Sequence, residues 1–323
     1  MPAIPLKKLQ NQLTVKTLRV FLKLMQLLPR FFVQAFFGGL SRIAYIGITN
    51  LKKICKTNLR LAYGDSKTID EYEAMTRGCF DNIGRSMMDM LYFVKRPKKL
   101  SKIVCIHNED RLRKALEEKR GVIVTTAHLS NFPLMFLSLV SRGYKVNVVI
   151  RSMRDKGFGR FMYDLCALWK INMIETLPKK NFVKETFGAL RRNELLVILL
   201  DEVVPTEEGV QVPFFASKVT RGTGPMLFHN RQGSPILPMF IAQKEDGHFD
   251  IFVENPLTVE ARLSPHENMV KNIANLTATI ESFVKKYPTQ WGGWLNKRWF
   301  PSSVLASKIL AAATAAGQVI AKS

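Results

Sequence analysis

The sequence predicts an α/β fold: a mostly parallel central sheet flanked by helices, preceded by a helical, membrane-associating N-terminal segment. Three observations predict it. From residue 103 onward, short β-prone runs alternate with helix-length stretches, the rhythm of β-α-β units. Several of those runs are almost wholly apolar, Leu195-Leu196-Val197-Ile198-Leu199-Leu200 above all, as strands buried on both faces require. Before residue 100 the pattern is helical throughout.

The first 60 residues carry 11 Lys+Arg and no acid, Asp65 being the first carboxylate, and they are rich in Leu, Phe and Ile. A basic and apolar segment points to an anionic membrane lipid surface more than to nucleic acid. The same pattern also suits an ordinary helix pair with a solvated basic face. Lys23, Pro29-Arg30 and Arg42 interrupt the apolar stretch from Val20 to Leu51, and its longest uncharged run, Phe31 to Ser41, is 11 residues. A membrane span needs about 20. An interfacial amphipathic segment with snorkelling bases is therefore expected, a tilted single-span anchor being the other arrangement. No Ala-x-Ala site follows, so no cleavable signal peptide is expected.

Asp70-Glu71-Tyr72-Glu73 opens a helix with apolar positions at Met75, Cys79, Ile83, Met87, Met90 and Leu91, in steps of three and four. Arg96-Pro97-Lys98-Lys99 reads as a linker. Strands are then expected at 103–106, 122–126, 146–150, 172–175, 195–200, 236–242 and 249–253, with helices at 110–119, 133–142, 158–170, 182–192 and 224–231. A last long helix runs from Pro265 to Lys286. The aromatic block Trp291–Trp299 after it suits either an interfacial belt or a core. The expected division is a basic helical region at 1–100, an α/β domain at 101–300 and a tail at 301–323. The uncharged part of the tail, Ile309 to Ala321, is mostly alanine and too short to cross a membrane.

Composition bounds the partners. Among 323 residues, 48 Lys+Arg oppose 26 Asp+Glu, a net charge of +22 that calls for an anionic counterpart. Nucleic acid is disfavoured because the aromatics lie in apolar stretches rather than interleaved with bases. The four cysteines, Cys55, Cys79, Cys105 and Cys166, form no CxxC and stand at no metal spacing with histidine. They read as buried small hydrophobes of a reducing compartment. No metal site and no cofactor are expected, and His107, His229, His248 and His266 are assigned no role.

The chemistry centres on His128. It follows the strand Val122–Thr126 and precedes a helix opened by Ser130-Asn131-Phe132-Pro133, the carboxyl end where open α/β sheets place reactive groups. Such a histidine either takes a proton from a hydroxyl nucleophile or caps a backbone carbonyl. It works best when a carboxylate orients its ring. Asp201 and Glu202 close the strand 195–200, where an aspartate also caps the loop that follows. Ser130, the one hydroxyl beside His128, reads as a helix N-cap rather than a nucleophile.

Gly121–Thr126, His128-Leu129-Ser130-Asn131-Phe132-Pro133 and then Arg151 resemble the motif region of the lysophospholipid acyltransferase superfamily. The resemblance is to its bacterial branch that adds late acyl chains to lipid A. Leu200-Asp201-Glu202, Val212-Pro213-Phe214-Phe215 with Thr220 and Gly224-Pro225, Ser234 through Pro238, Tyr287 through Trp291 and Arg298-Trp299 are similar to later family blocks. Their order is kept over roughly residues 15–300.

The resemblance implies a membrane-associated acyltransferase. His128 would deprotonate the acceptor, and no acyl-enzyme would form. The donor would be an acyl thioester of acyl carrier protein or coenzyme A. The acceptor would be a lipid A precursor or another glycolipid at the cytoplasmic face of an inner membrane. Arg151, with Arg154 as a rival, would bind phosphate or oxyanion charge; Asn131, Thr220, Gly222 and Gly224 would contact substrate.

The chain departs from the pattern at Pro133, where the family has Asp or Glu. Proline suits a first helical turn but cannot orient His128. Either Asp201 or Glu202 replaces the carboxylate, or His128 acts with a backbone or Asn131 orienter, or the site is not catalytic.

Overall fold

The computed structural model describes residue 28 and residues 30–93, 96–152, 156–259 and 264–296. The expectations for residues 1–27, for Arg154, for Arg298-Trp299 and for the tail lie outside the described residues. Helices α1 (Arg30–Gly47), α2 (Thr49–Tyr63), α3 (Ile69–Phe93) and a single turn, α4 (Pro97–Leu100), come first. The α/β part follows as β1 (Val104–His107), α5 (Glu109–Glu117), β2 (Val122–Thr126), α6 (Phe132–Ser141), β3 (Val146–Ile150), α7 (Lys156–Leu168), β4 (Asn172–Glu175), α8 (Lys179–Arg191) and β5 (Leu195–Leu199). The hairpin β6 (Gly209–Phe214) and β7 (Ser217–Gly222) leads to α9 (Gly224–Gln232), β8 (Ile236–Gln243), β9 (Phe249–Val253) and α10 (Pro265–Lys286). Two 3₁₀ turns, Pro288–Gln290 and Gly292–Leu295, close the described chain.

Seven strands form one sheet in the order β1-β9-β8-β2-β5-β3-β4. Every neighbouring pair is parallel except β8 with β9. Each central strand divides its side chains between two cores, as the period of two dictates. Val122 and Val124 of β2, with Leu195 and Val197 of β5, face a core shared with α5 and α6. Ile123 and Leu196 face the other, shared with α2, α8, α9, α10 and the β6–β7 hairpin.

Because β2 and β5 pair in register, Thr126 opposite Leu199, the residues leaving both strands emerge side by side at one carboxyl edge. Strand β3 lies on the other side of β5 and delivers Arg151 to the same edge. Helix α2 packs on the last described turns: the Asn58 side-chain amide donates to the carbonyls of Trp294 (2.8 Å) and Asn296 (3.2 Å).

Three expectations need correction. Cys105 is exposed and Cys166 half-buried, whereas Cys55 and Cys79 are buried as expected. His107 is not solitary: β1 pairs with β9, which sets Cys105 and His107 beside Asp250, a neighbour about 145 positions away that spacing cannot reveal. In α3, Ile83 and Met87 are exposed, and Phe80 and Met88 are buried in their place. No helix among the described residues is long and apolar enough to cross a membrane.

Candidate active site

Asp201 is the node of the site. Its carboxylate accepts three hydrogen bonds: from His128 Nδ1 (2.9 Å), from the His128 backbone N–H (3.0 Å) and from the Trp291 indole Nε1 (2.8 Å). Its backbone carbonyl accepts a fourth, from Arg221 Nη1. Asp201, Trp291 and Arg221 are buried, while the His128 side chain keeps 36% of its surface. With Nδ1–H held by the carboxylate, Nε2 is the basic nitrogen left for a substrate.

The chain positions these groups by backbone pairing. Leu129 forms an antiparallel bridge with Trp291, Gly292 N–H donates to the His128 carbonyl (2.8 Å), and Ser130 N–H donates to the Gln290 carbonyl (2.6 Å). A Cβ at position 292 would come within 3.3 Å of the His128 carbonyl, so glycine there allows the close approach. Trp291 packs edge-on against Phe214 of β6 (5.6 Å), and the Arg221 guanidinium lies over the same ring (4.5 Å). Trp291 and Trp294 are therefore core, not an interfacial belt.

Burial pushes the Asp201 carboxyl up, but the His128 charge and the hydrogen bonds from His128 and Trp291 outweigh it and hold its pKa below the ordinary range. Burial likewise pulls His128 down, and the charge and hydrogen bond of Asp201 reverse that, so its pKa lies above the ordinary imidazole value. Arg221 is depressed to about 10 by burial, which Asp201 partly offsets. It remains a cation at neutral pH, with Nε and Nη2 buried and unpaired.

Two cavities meet at His128. The smaller, about 300 Å³, lies under α3 and is lined by Asn82, Ser86, Met87, Asn131 and Asp201. The larger, about 470 Å³, is apolar and runs between the sheet and α6–α9, past Phe136, Val148, Leu165, Trp169 and Phe228. His128, Phe132, Pro133 and Glu202 border both. Phe132 meets the His128 ring edge-to-face at 5.0 Å.

The sequence-predicted residues thus separate. Asp201, not Glu202, is the carboxylate that reaches His128 Nδ1. Glu202 lies 3.7 Å from Arg151 Nη2 at the rim of the larger cavity, both half-exposed. Asn131 is a poor orienter of His128 because its amide donates to the Ser86 carbonyl (2.8 Å), tying α3 to the site. Gly222 and Gly224 line the larger cavity, whereas Thr220 is buried and its carbonyl accepts from Val204 N–H (3.2 Å).

Ser130 precedes the N-cap Asn131 at φ 49°, and its hydroxyl has no hydrogen-bond partner, so it forms no nucleophile–base pair with His128. Sequence reasoning missed Arg221 and the Trp291 contact. Arg221 adjoins Thr220 in a recognised block, but nothing local tells that a charged side chain there turns inward.

A buried carboxylate orients a half-exposed histidine at the mouth of an apolar cavity, on the carboxyl edge of a parallel sheet, an arrangement suited to proton transfer from a hydroxyl beside a long apolar group. No curated protein gives a significant match to the chain. The model of one family, described as bacterial lipid A biosynthesis acyltransferase, matches residues 8–300. Nine-tenths of the sequence lies within that match, and the chain belongs to the bacterial lipid A biosynthesis acyltransferase family.

Proposed function

We propose that the protein transfers a fatty acyl chain from a thioester of acyl carrier protein or coenzyme A to a hydroxyl or amine of a lipid A precursor or related glycolipid. His128 Nε2 takes the acceptor proton as the acceptor oxygen attacks the thioester carbonyl. The tetrahedral intermediate then expels the thiolate, which takes the proton back from His128. Asp201 holds the imidazole in the tautomer that leaves Nε2 basic and stabilises the imidazolium while it exists. The acyl chain occupies the larger cavity, whose lining is apolar. Arg151 at its rim binds anionic substrate, a phosphate or the developing oxyanion.

The observation that carries this reading is the His128–Asp201–Trp291 constellation at the junction of the two cavities. Work at the cytoplasmic face of an inner membrane follows from the same reading. It is supported by α1, which buries Val33 and Phe37 and exposes Phe32, Phe36, Leu40, Ile43 and Ile46. An acidic carrier protein would suit the net charge of +22.

Pro133 favours a second reading, a lipid-binding relative that does not catalyse. His128→Ala decides between them. Acyl transfer by purified protein, followed by mass spectrometry of the lipid product, is expected to fall by about 10²–10⁴-fold. Turnover unaltered by the substitution would sink the base assignment, and no turnover by the unmodified protein with either donor would favour the binding relative.

A further inference from the structure

We propose that Cys105, His107 and Asp250 form a binding site for a divalent transition-metal ion of the Zn²⁺ type, outside the acyl-transfer cavities and independent of that activity. Cys105 and His107 are two apart on β1, so the strand period puts them on one face. Parallel register sets Asp250 of β9 opposite Cys105. The alternate residues of both strands, Val104, Phe249, Ile251 and Val253, enter the core, which leaves the three ligand-type side chains together on the other face.

The thiol sulfur, an imidazole nitrogen and a carboxylate oxygen lie within 4.8 Å of one another. Zinc bond lengths of about 2.0–2.3 Å put tetrahedral ligands about 3.3–3.7 Å apart, so side-chain rotation of about an ångström closes the set.

The contact between His107 and Asp250 points the same way. Nε2 and Oδ1 are 3.0 Å apart, yet Nε2 is buried and makes no hydrogen bond. Two such atoms, close but not aligned to bond each other, lie a few tenths of an ångström inside the spacing of tetrahedral ligands, so a small opening of the pair would admit one ion between them. The ring is held by stacking on Phe252 (5.2 Å, 14°), which itself packs on Phe283 of α10.

The donor set selects the metal. Thiolate, imidazole and one carboxylate suit Zn²⁺ and its neighbours, whereas Mg²⁺ and Ca²⁺ require oxygen alone. Three protein ligands on an open face leave the fourth position to water. Of the cations around the cleft at this site, Arg142 pairs with Glu109 (2.7 Å), and Lys244 (3.8 Å) and His248 (3.2 Å) pair with Asp246, while Lys102 also lines it and Lys286 lies over the Phe252 ring (5.2 Å). Bound there, the ion would staple the edge strand β1 to β9.

The test uses the full chain, free of any affinity tag and stripped with a chelator. Zn²⁺ is titrated in competition with a chromophoric chelator, and Co²⁺ is titrated while its thiolate charge-transfer absorption is followed. One ion per chain is expected, with a rise in Tm on binding. Cys105→Ser, His107→Ala and Asp250→Asn should each weaken affinity at least about tenfold. Cys105→Ser, at an exposed side chain, should also abolish the charge-transfer band and leave the metal-free Tm unchanged. No saturable binding overturns the proposal. So does binding that survives Cys105→Ser, which would place the ion at another cysteine and leave His107–Asp250 an ordinary ion pair.

Discussion

Asp201 and His128 shift each other in opposite directions, and this separates the pH window of stability from that of activity. The raised His128 contributes stability in full below its unfolded pKa of about 6.5 and loses it as pH climbs through the higher folded value. The depressed Asp201 contributes above its unfolded pKa of about 3.9 and loses it as pH falls through the lower folded value. The pair therefore stabilises the fold most between about pH 4 and 6.5. The proposed general-base role needs neutral His128, so activity is expected to rise above that window. Asp201→Asn removes the charge that holds His128 up and disturbs its tautomer. Its Tm deficit against the unmodified protein should be largest between about pH 4 and 6.5. Its rate should fall by about 10²–10⁴-fold, with the remaining activity titrating at lower pH. A Tm difference that does not vary with pH would show that the pair is not linked as drawn.

At the scale of elements, the neighbouring ends of β2 and β5 explain how the family's expected carboxylate can be absent. Helix α6 begins with Pro133 in its first turn, where the missing N–H costs no hydrogen bond. Position 133 borders both cavities, but His128 Nδ1 is already held by Asp201. Pro133→Glu should therefore change the rate by less than about threefold, while a carboxylate in the first turn adds about 0.3–1 kcal/mol to the helix. A large gain in turnover would mean that Asp201 is an inadequate substitute.

Much of this arrangement was legible in the sequence. Strands β2, β3, β4 and β9 lie where expected: β2 and β3 as the short apolar runs of a sheet interior, β4 and β9 as short β-prone runs between turn signals. Asp201 was legible as a strand-end carboxylate. The hairpin β6–β7 was not, since Pro213 interrupts its alternation and a proline argues against a strand unless it lies at an edge. Arg221 and Trp291 were not legible as partners of Asp201, because the hairpin and the closing 3₁₀ turns bring them back across 20 and 90 positions. The cluster of Cys105, His107 and Asp250 was hidden for the same reason, the β1–β9 pairing being unpredictable from spacing.

For the molecule as a whole, the apolar face of α1 and the approach to His128 belong together. Helix α1 packs on α3 through Val33, Phe37 and Met88, with Ser41 donating to Asp81 (3.0 Å). Its outer side exposes Ile43 at 68% and Ile46 at 73%, and α3 exposes Met87, which also lines the smaller cavity. On the proposed reading, α1 docks on the lipid surface while α3, on which it packs, lines the smaller cavity beside His128. Burying an isoleucine side chain is worth about 1.5–3 kcal/mol. Replacing Ile43 and Ile46 together by Asp removes most of that for two residues and adds charge facing anionic headgroups. Sedimentation with liposomes containing anionic lipid should weaken by about tenfold or more, and acyl transfer to a membrane-embedded acceptor should fall with it. Transfer to a water-soluble, short-chain acceptor should stay unchanged, because neither side chain lines either cavity. His128→Ala supplies the converse, full liposome binding without turnover. Equal loss with both acceptors would mean that the double substitution damages the fold or the site, and unaltered sedimentation would move the docking face away from α1.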